Sequence, residues 1–212
     1  MSRLLDILAK GLSIVLYPLF MPTYGIALYC IMYEVHMGQS LPLSWTVMVL
    51  LSTFLMTCVV PIFAIWLLMK RGVVTDFQID NPRERKLPYY HTIFCFILWT
   101  FILVRAVHAP LFLSVVALGA TLAIGLLTLI NRWWKISAHL TGFGGLVGGV
   151  FSYCLYIGAM PSWSTIALWC VLSWILMWAR LYLNAHTAAQ VCAGWLMGMI
   201  CTFIPYVILL HV

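Results

Sequence analysis

The sequence is poor in charge. Of its 212 residues only 8% are Asp, Glu, Lys or Arg, and no Asp or Glu follows Glu84. Water-soluble domains carry about 25% charged residues, so a soluble fold is excluded. The few basic residues form no long face, which excludes nucleic acid as a partner. The cysteines Cys30, Cys58, Cys95, Cys154, Cys170, Cys192 and Cys201 show no CxxC spacing. That excludes the common zinc and dithiol motifs, and leaves them as small hydrophobes inside apolar runs. The opening MSRLLDILAK holds no small-residue cleavage site, so no removable signal peptide is expected. Internal repeats and low-complexity segments are missing too.

What is abundant is hydrophobicity, at 65% of residues, with a mean hydropathy of +1.07. Seven apolar segments run over residues 12–35, 43–69, 89–107, 110–130, 140–159, 163–178 and 188–210. About 20 such residues cross a bilayer core of about 30 Å. The runs are continuous rather than alternating, which selects helices over a barrel. The expected fold is therefore all-α. It is a single integral membrane domain over 1–212, a polytopic bundle of six or seven transmembrane helices. The open choice lies in YPLFMPTYG, where Pro18 and Pro22 must kink or break the first segment. Residues 1–22 are then either a kinked half of a span or an interfacial helix. Trp133 and Trp134 beside Arg132 and Lys135 read as an interfacial belt. The small residues of TGFGGLVGG, inside a span, suit close helix packing.

Polar residues fall into three islands. The loop 70–88 holds Lys70, Arg71, Arg83, Arg85 and Lys86 with Asp76, Asp80 and Glu84. The second island is NRWWKISAH, ending at His139, and the third runs from Arg180 to His186. Two apolar segments separate each island from the next. An even number of crossings returns the chain to the same side, so all three islands emerge at one membrane face. The intervening turns carry almost no charge. In a seven-span arrangement Arg3, Lys10, Lys70, Arg71 and Arg132 share that face. The positive-inside rule then places it on the cytoplasmic side of a bacterial cytoplasmic membrane.

Ionisable residues at membrane depth are costly and mark function. Arginine forks match phosphate oxygens, and histidine attacks phosphorus or moves protons. Several cations with two histidines make a site for an anion. No histidine pair sits with carboxylates at metal-ligand spacing, so neither metal nor other cofactor is expected.

WARLYLNAHTAAQVCAGWLMG contains Arg180, five residues, His186, three residues and Gln190. This resembles the S-R-x5-H-x3-D motif of the type 2 phosphatidic acid phosphatase family, with Gln in place of the closing Asp. Ser137 and His139 of ISAH resemble that family's P-S-G-H, and RERKLP is similar to its first motif in being basic and ending in proline. The resemblance covers most of the chain from about Lys70. It implies a phosphatidic-acid-phosphatase-like helical core and a lipid phosphate or isoprenyl pyrophosphate as substrate, among membrane lipids. By position, His186 would be the nucleophile that forms a phosphohistidine, His139 the acid for the leaving group, and Gln190 the partner of His186. Arg180, Ser137, Arg85, Lys86, Arg83 and Lys135 would hold phosphoryl oxygens. Since Gln190 and His186 are four apart, a helix would put them on one face, and Asn184 is the expected cap of that helix.

Two other readings compete. Asp76 and Asp80 in DFQIDNPRERKLP resemble the first aspartate-rich motif of intramembrane prenyltransferases, which holds magnesium; a second such motif is impossible after Glu84. A catalytically silent lipid-binding, transport or scaffold protein would account for Gln190.

Overall fold

The computed structural model describes residues 2–77, 79 and 81–209. Among them the secondary structure is entirely helical. The α-helices are α1 (Ser2–Val15), α2 (Met21–Met37), α3 (Leu43–Phe54), α4 (Val60–Lys70), α5 (Lys86–Arg105), α6 (Leu111–Ile130), α7 (Ala138–Tyr156), α8 (Trp163–Tyr182) and α9 (Ala188–Leu209). Seven stretches are long and apolar enough to cross a membrane: Arg3–Met37, Leu43–Lys70, Arg83–Arg105, Leu111–Ile130, Ala138–Tyr156, Trp163–Tyr182 and Ala188–Leu209. The protein is a polytopic helical membrane protein. Its outer surface fits that solvent: Leu43, Phe94, Phe101 and Trp174 stand exposed, and Trp163 is 85% exposed. A surface this apolar is stable only against lipid.

The prolines act locally, as their chemistry requires. Pro18 begins a single 3₁₀ turn, Pro18–Phe20, and Pro22 sits in the first turn of α2, where no N–H is needed. The first apolar run is therefore two helices, with α1 packed against α8 and α2 against α7. Between α3 and α4 the ladder widens into a π-turn, Leu55–Val59, where the Val60 N–H reaches the Leu55 carbonyl. Pro61 follows and has no N–H to offer the preceding turn, which favours such a shift.

Several buried or half-buried hydroxyls are satisfied within their own helices. Thr53, Thr92, Thr100 and Thr121 each donate to the carbonyl four residues earlier. This suits a medium with no water to take up the hydrogen bond.

The tightest seam is α7 against α9. Gly144 and Gly148 on α7 lie against the backbone of Trp195 and Met199, and Gly194 and Gly198 on α9 lie against that of Ser137 and Thr141. A methyl group on Gly144 would fall on the backbone of Trp195, and one on Gly198 on the Thr141 carbonyl. Only glycine allows backbones this close. Thr202 Oγ1 donates across the seam to the Gly145 carbonyl at 2.8 Å. Gly119 does the same job between α6 and α9, facing the Cys201 carbonyl. An adjacent face of α7, which shares Thr141 and Gly145 with this seam, lines a cavity among α2, α5 and α6. That cavity ends at the loops that carry the polar islands.

Candidate functional site

Each polar side chain at this end is placed by a local stop signal in the chain. Before α5, the Asn81 side chain accepts from the Arg83 N–H and starts a 3₁₀ turn, Pro82–Arg85. Glu84 holds the loop closed by accepting from the Thr75 N–H at 2.7 Å and from Asn81 at 2.8 Å. Three residues per turn point neighbours in different directions. Arg85 therefore turns inward and is buried, while Arg83 and Lys86 stay exposed. The Arg85 Nε donates to the Ile79 carbonyl at 2.8 Å and its Nη1 to the Asn131 side-chain oxygen at 3.0 Å.

Helix α8 ends in a Schellman-type turn, with Asn184 left-handed at φ 52° and the Ala185 N–H reaching back to the Arg180 carbonyl. The turn holds Arg180 in the last helical turn and folds His186 back toward it. Helix α9 is capped by Thr187 rather than by Asn184. The Thr187 N–H donates to Gln190 Oε1 at 3.0 Å, and the Gln190 N–H to Thr187 Oγ1 at 3.4 Å. That is a reciprocal capping box. His186 thus precedes the helix instead of sharing a face with Gln190, which corrects the expected arrangement. The imidazole meets the amide all the same: His186 Nδ1 lies 3.3 Å from Gln190 Oε1 and 3.2 Å from the Lys135 carbonyl.

These contacts fix the chemistry of His186. Both partners are acceptors, so Nδ1 carries the proton and Nε2 keeps its lone pair. The backbone donor from Thr187 also fixes which end of the Gln190 amide faces the ring. Burial, followed by the positive charges of Arg180, Arg85 and Lys135, pushes the His186 pKa down to about 4. The ring is therefore neutral at pH 7.

His139, in the first turn of α7, is buried, with Nε2 at 3.1 Å from the Ser13 carbonyl. Arg180, only 2% exposed, donates from Nη1 to Ser13 Oγ at 3.1 Å. Tyr17 stands edge-on to His139, with ring centroids 5.5 Å apart, and gives its hydroxyl proton to the Phe77 carbonyl at 2.7 Å. The N-terminal segment thus closes over the site. Nothing in the sequence reading pointed to Ser13 or Tyr17, because their partners lie far along the chain. In the sequence Asn131 only begins a polar island.

One cavity takes in Arg85, His139, Arg180 and His186 at this end. The structure brings those four together. It does not bring Ser137, whose fully buried hydroxyl instead faces the Leu140 N–H as the cap of α7. Lys135 is half-buried and reaches His186 through its backbone carbonyl. Arg83 and Lys86 do not line the cavity. Asp76 accepts from the Ile79 N–H at 2.7 Å and closes a turn, while Asp80 lies outside the described residues. Among the described residues no group of three or more His, Cys, Asp and Glu converges as a metal site would. Comparison with family models, curated proteins and solved structures finds no match to this chain.

Proposed function

We propose that the protein is a metal-independent membrane phosphatase or phosphotransferase acting on a lipid phosphate or isoprenyl pyrophosphate. One observation carries this reading. Two arginines and two histidines from three separated stretches of chain line one end of a cavity whose remaining lining is mostly apolar. Cations at the mouth and hydrocarbon behind suit an anionic headgroup with a tail.

In this reading His186 Nε2 attacks phosphorus while the bond to the leaving oxygen breaks, giving a phosphohistidine. His139 supplies the proton that the leaving oxygen takes. Water then gives a proton back to His139 and attacks the phosphohistidine, and phosphate leaves with both histidines restored. Arg85 and Arg180 hold the phosphoryl oxygens and offset the charge that develops on them. Phosphate entry requires the Ser13 contacts to His139 and Arg180 to open. Gln190 keeps the imidazole in the correct tautomer but adds no charge. We place the site on the cytoplasmic side of a bacterial cytoplasmic membrane, on the support of the loop cations.

The specific observation favouring a second reading is that same neutral amide. Loss of the carboxylate behind a catalytic histidine costs on the order of 10⁴ in rate in another enzyme class. A protein that binds lipid phosphates without turning them over fits Gln190 equally well. The deciding experiment is inorganic phosphate release by purified protein in detergent with a chelator present, from phosphatidic acid, phosphatidylglycerol phosphate and isoprenyl pyrophosphate. Release that vanishes in a folded His186→Ala variant supports the enzyme. Binding of the same lipids with no release supports the silent binder.

A further inference from the structure

The cavity extends far beyond the residues that would handle phosphate. Along α7 its wall is formed by Gly142, Gly145, Leu146, Gly149 and Tyr153, a stripe at helical spacing. From His139 to Tyr153 is fourteen residues, or about 21 Å of helix, well past the midplane of a core about 30 Å thick. At the far end Tyr153 meets Tyr29 at 4.8 Å and Phe112 at 5.2 Å between ring centroids, with Tyr29 stacked on Phe112. Trp99 adds an apolar ring wall, because its indole N–H is taken up by Thr53 Oγ1 at 2.9 Å.

From this geometry we infer that the bundle interior holds one hydrocarbon tail of the lipid phosphate, and that Tyr29, Phe112 and Tyr153 form a floor limiting its reach. The inference rests on the reading of the mouth as a phosphate site. Three features support it. The channel is continuous with the cationic mouth, its wall is mostly apolar, and α7 presents Gly149 where a larger residue would fill it. A methyl group on Gly149 would sit 3.6 Å from Val116, an ordinary contact with space left beside it. Moving a tail from lipid into protein gains little hydrophobic energy. Selection therefore comes from shape and packing along the channel.

The test is photo-crosslinking of the purified full-length protein with hexadecyl phosphate carrying a diazirine at the tail end, mapped by mass spectrometry. Adducts are expected on Tyr29, Phe112 or Tyr153, about tenfold above those on the lipid-facing Phe94 and Phe101. They should fall about tenfold in Gly149→Leu, and excess octyl phosphate should compete them away in the wild type. Equal labelling of the lipid-facing residues overturns the inference. So does interior labelling that persists under competition, or that a phosphate-free alcohol probe reproduces, since bulk lipid would then fill the channel. If Gly149→Leu fails to fold, Ala120→Leu on the opposite wall provides the same obstruction. Turnover is not needed for crosslinking, so the two proposals fail separately. Competed interior adducts without phosphate release remove the enzyme and keep the tail channel. Phosphate release with adducts only on the outer surface does the reverse.

Discussion

Gly148 and Gly149 are neighbours on α7 with opposite surroundings. A methyl group on Gly148 would strike the Met199 backbone and the Thr202 hydroxyl, whereas one on Gly149 would meet a single Val116 methyl at 3.6 Å. One face of the helix is a closed seam, and the next is the wall of a cavity. The seam tolerates no added atom, because both sides are backbone. The cavity face tolerates volume and is sensitive to chemistry, because its mouth holds the ionisable groups. The two are also coupled: the Ser137 N–H donates to the Gln190 carbonyl at 3.3 Å, so the first contact of the seam sets the start of α7 against the start of α9.

The largest effect should come from the seam. Gly148→Ala should destabilise the protein by about 3 kcal/mol or more, since overpacking here must displace a helix rather than a side chain. The measure is the folded fraction in detergent gel filtration after heating. A Gly148→Ala protein as heat-resistant as the wild type would abolish the distinction between the faces.

Protonation tests the cavity side. With its pKa at about 4, His186 is neutral well below the ordinary imidazole range. If it is the nucleophile, its contribution to kcat/KM should hold from pH 7 to pH 5 and be lost only near pH 4. An unperturbed imidazole, with a pKa of about 6.5, would already be about 30-fold depleted in its neutral form at pH 5. For stability the sign is fixed by the same shift. The unfolded chain binds the proton first, so stability is complete above pH 6.5 and is lost as pH falls toward 4. The His186→Ala variant should lose the part of that acid sensitivity which His186 contributes, while the seam is unaffected.

A smaller effect is expected from Gln190→Asp. Aspartate at the third helical position preserves a capping interaction with Thr187 and adds the charge that stabilises an imidazolium. Phosphate release should rise about tenfold, and the acid limb of kcat/KM should move upward, because a carboxylate favours the charged ring. An upward-shifted limb with no gain in rate would mean that the site is built around the amide.

The seven apolar runs and the meeting of the three islands were legible in the sequence, because run length and crossing parity are matters of counting, whereas Pro18 and Pro22 left open whether the first run spans. The choice of Arg85 over Arg83 and Lys86 was not, since a single 3₁₀ turn decides which neighbour faces inward and composition does not encode its phase. Ser13 was hidden for another reason. Its partner Arg180 lies at the other end of the chain, and a lone serine in an apolar helix reads as one that bonds its own backbone, as Ser13 also does to Ala9 at 2.9 Å. The cap of α9 was legible. Thr187-Ala-Ala-Gln190 has capping-box spacing, which places the helix start after His186, whereas the family resemblance drew attention to Gln190 only as an altered catalytic residue.

The smallest effect sharpens the comparison most. Gly149→Ala adds one methyl to the cavity wall at ordinary van der Waals distance from Val116, and alanine is preferred over glycine inside a helix by roughly 0.5–1 kcal/mol. The variant should match the wild type or exceed it by under about 1 kcal/mol in the same heating assay, with phosphate release from a short-tailed substrate within about twofold. The contrast with Gly148→Ala is the informative quantity. Both changes add the same methyl to the same helix, one position apart, so propensity and unfolded-chain entropy cancel between them. What remains is the difference between a neighbour that is backbone in hard contact and one that is a side chain at ordinary van der Waals distance. If the two variants lose stability equally, Gly149 faces no cavity, and the tail channel falls with it.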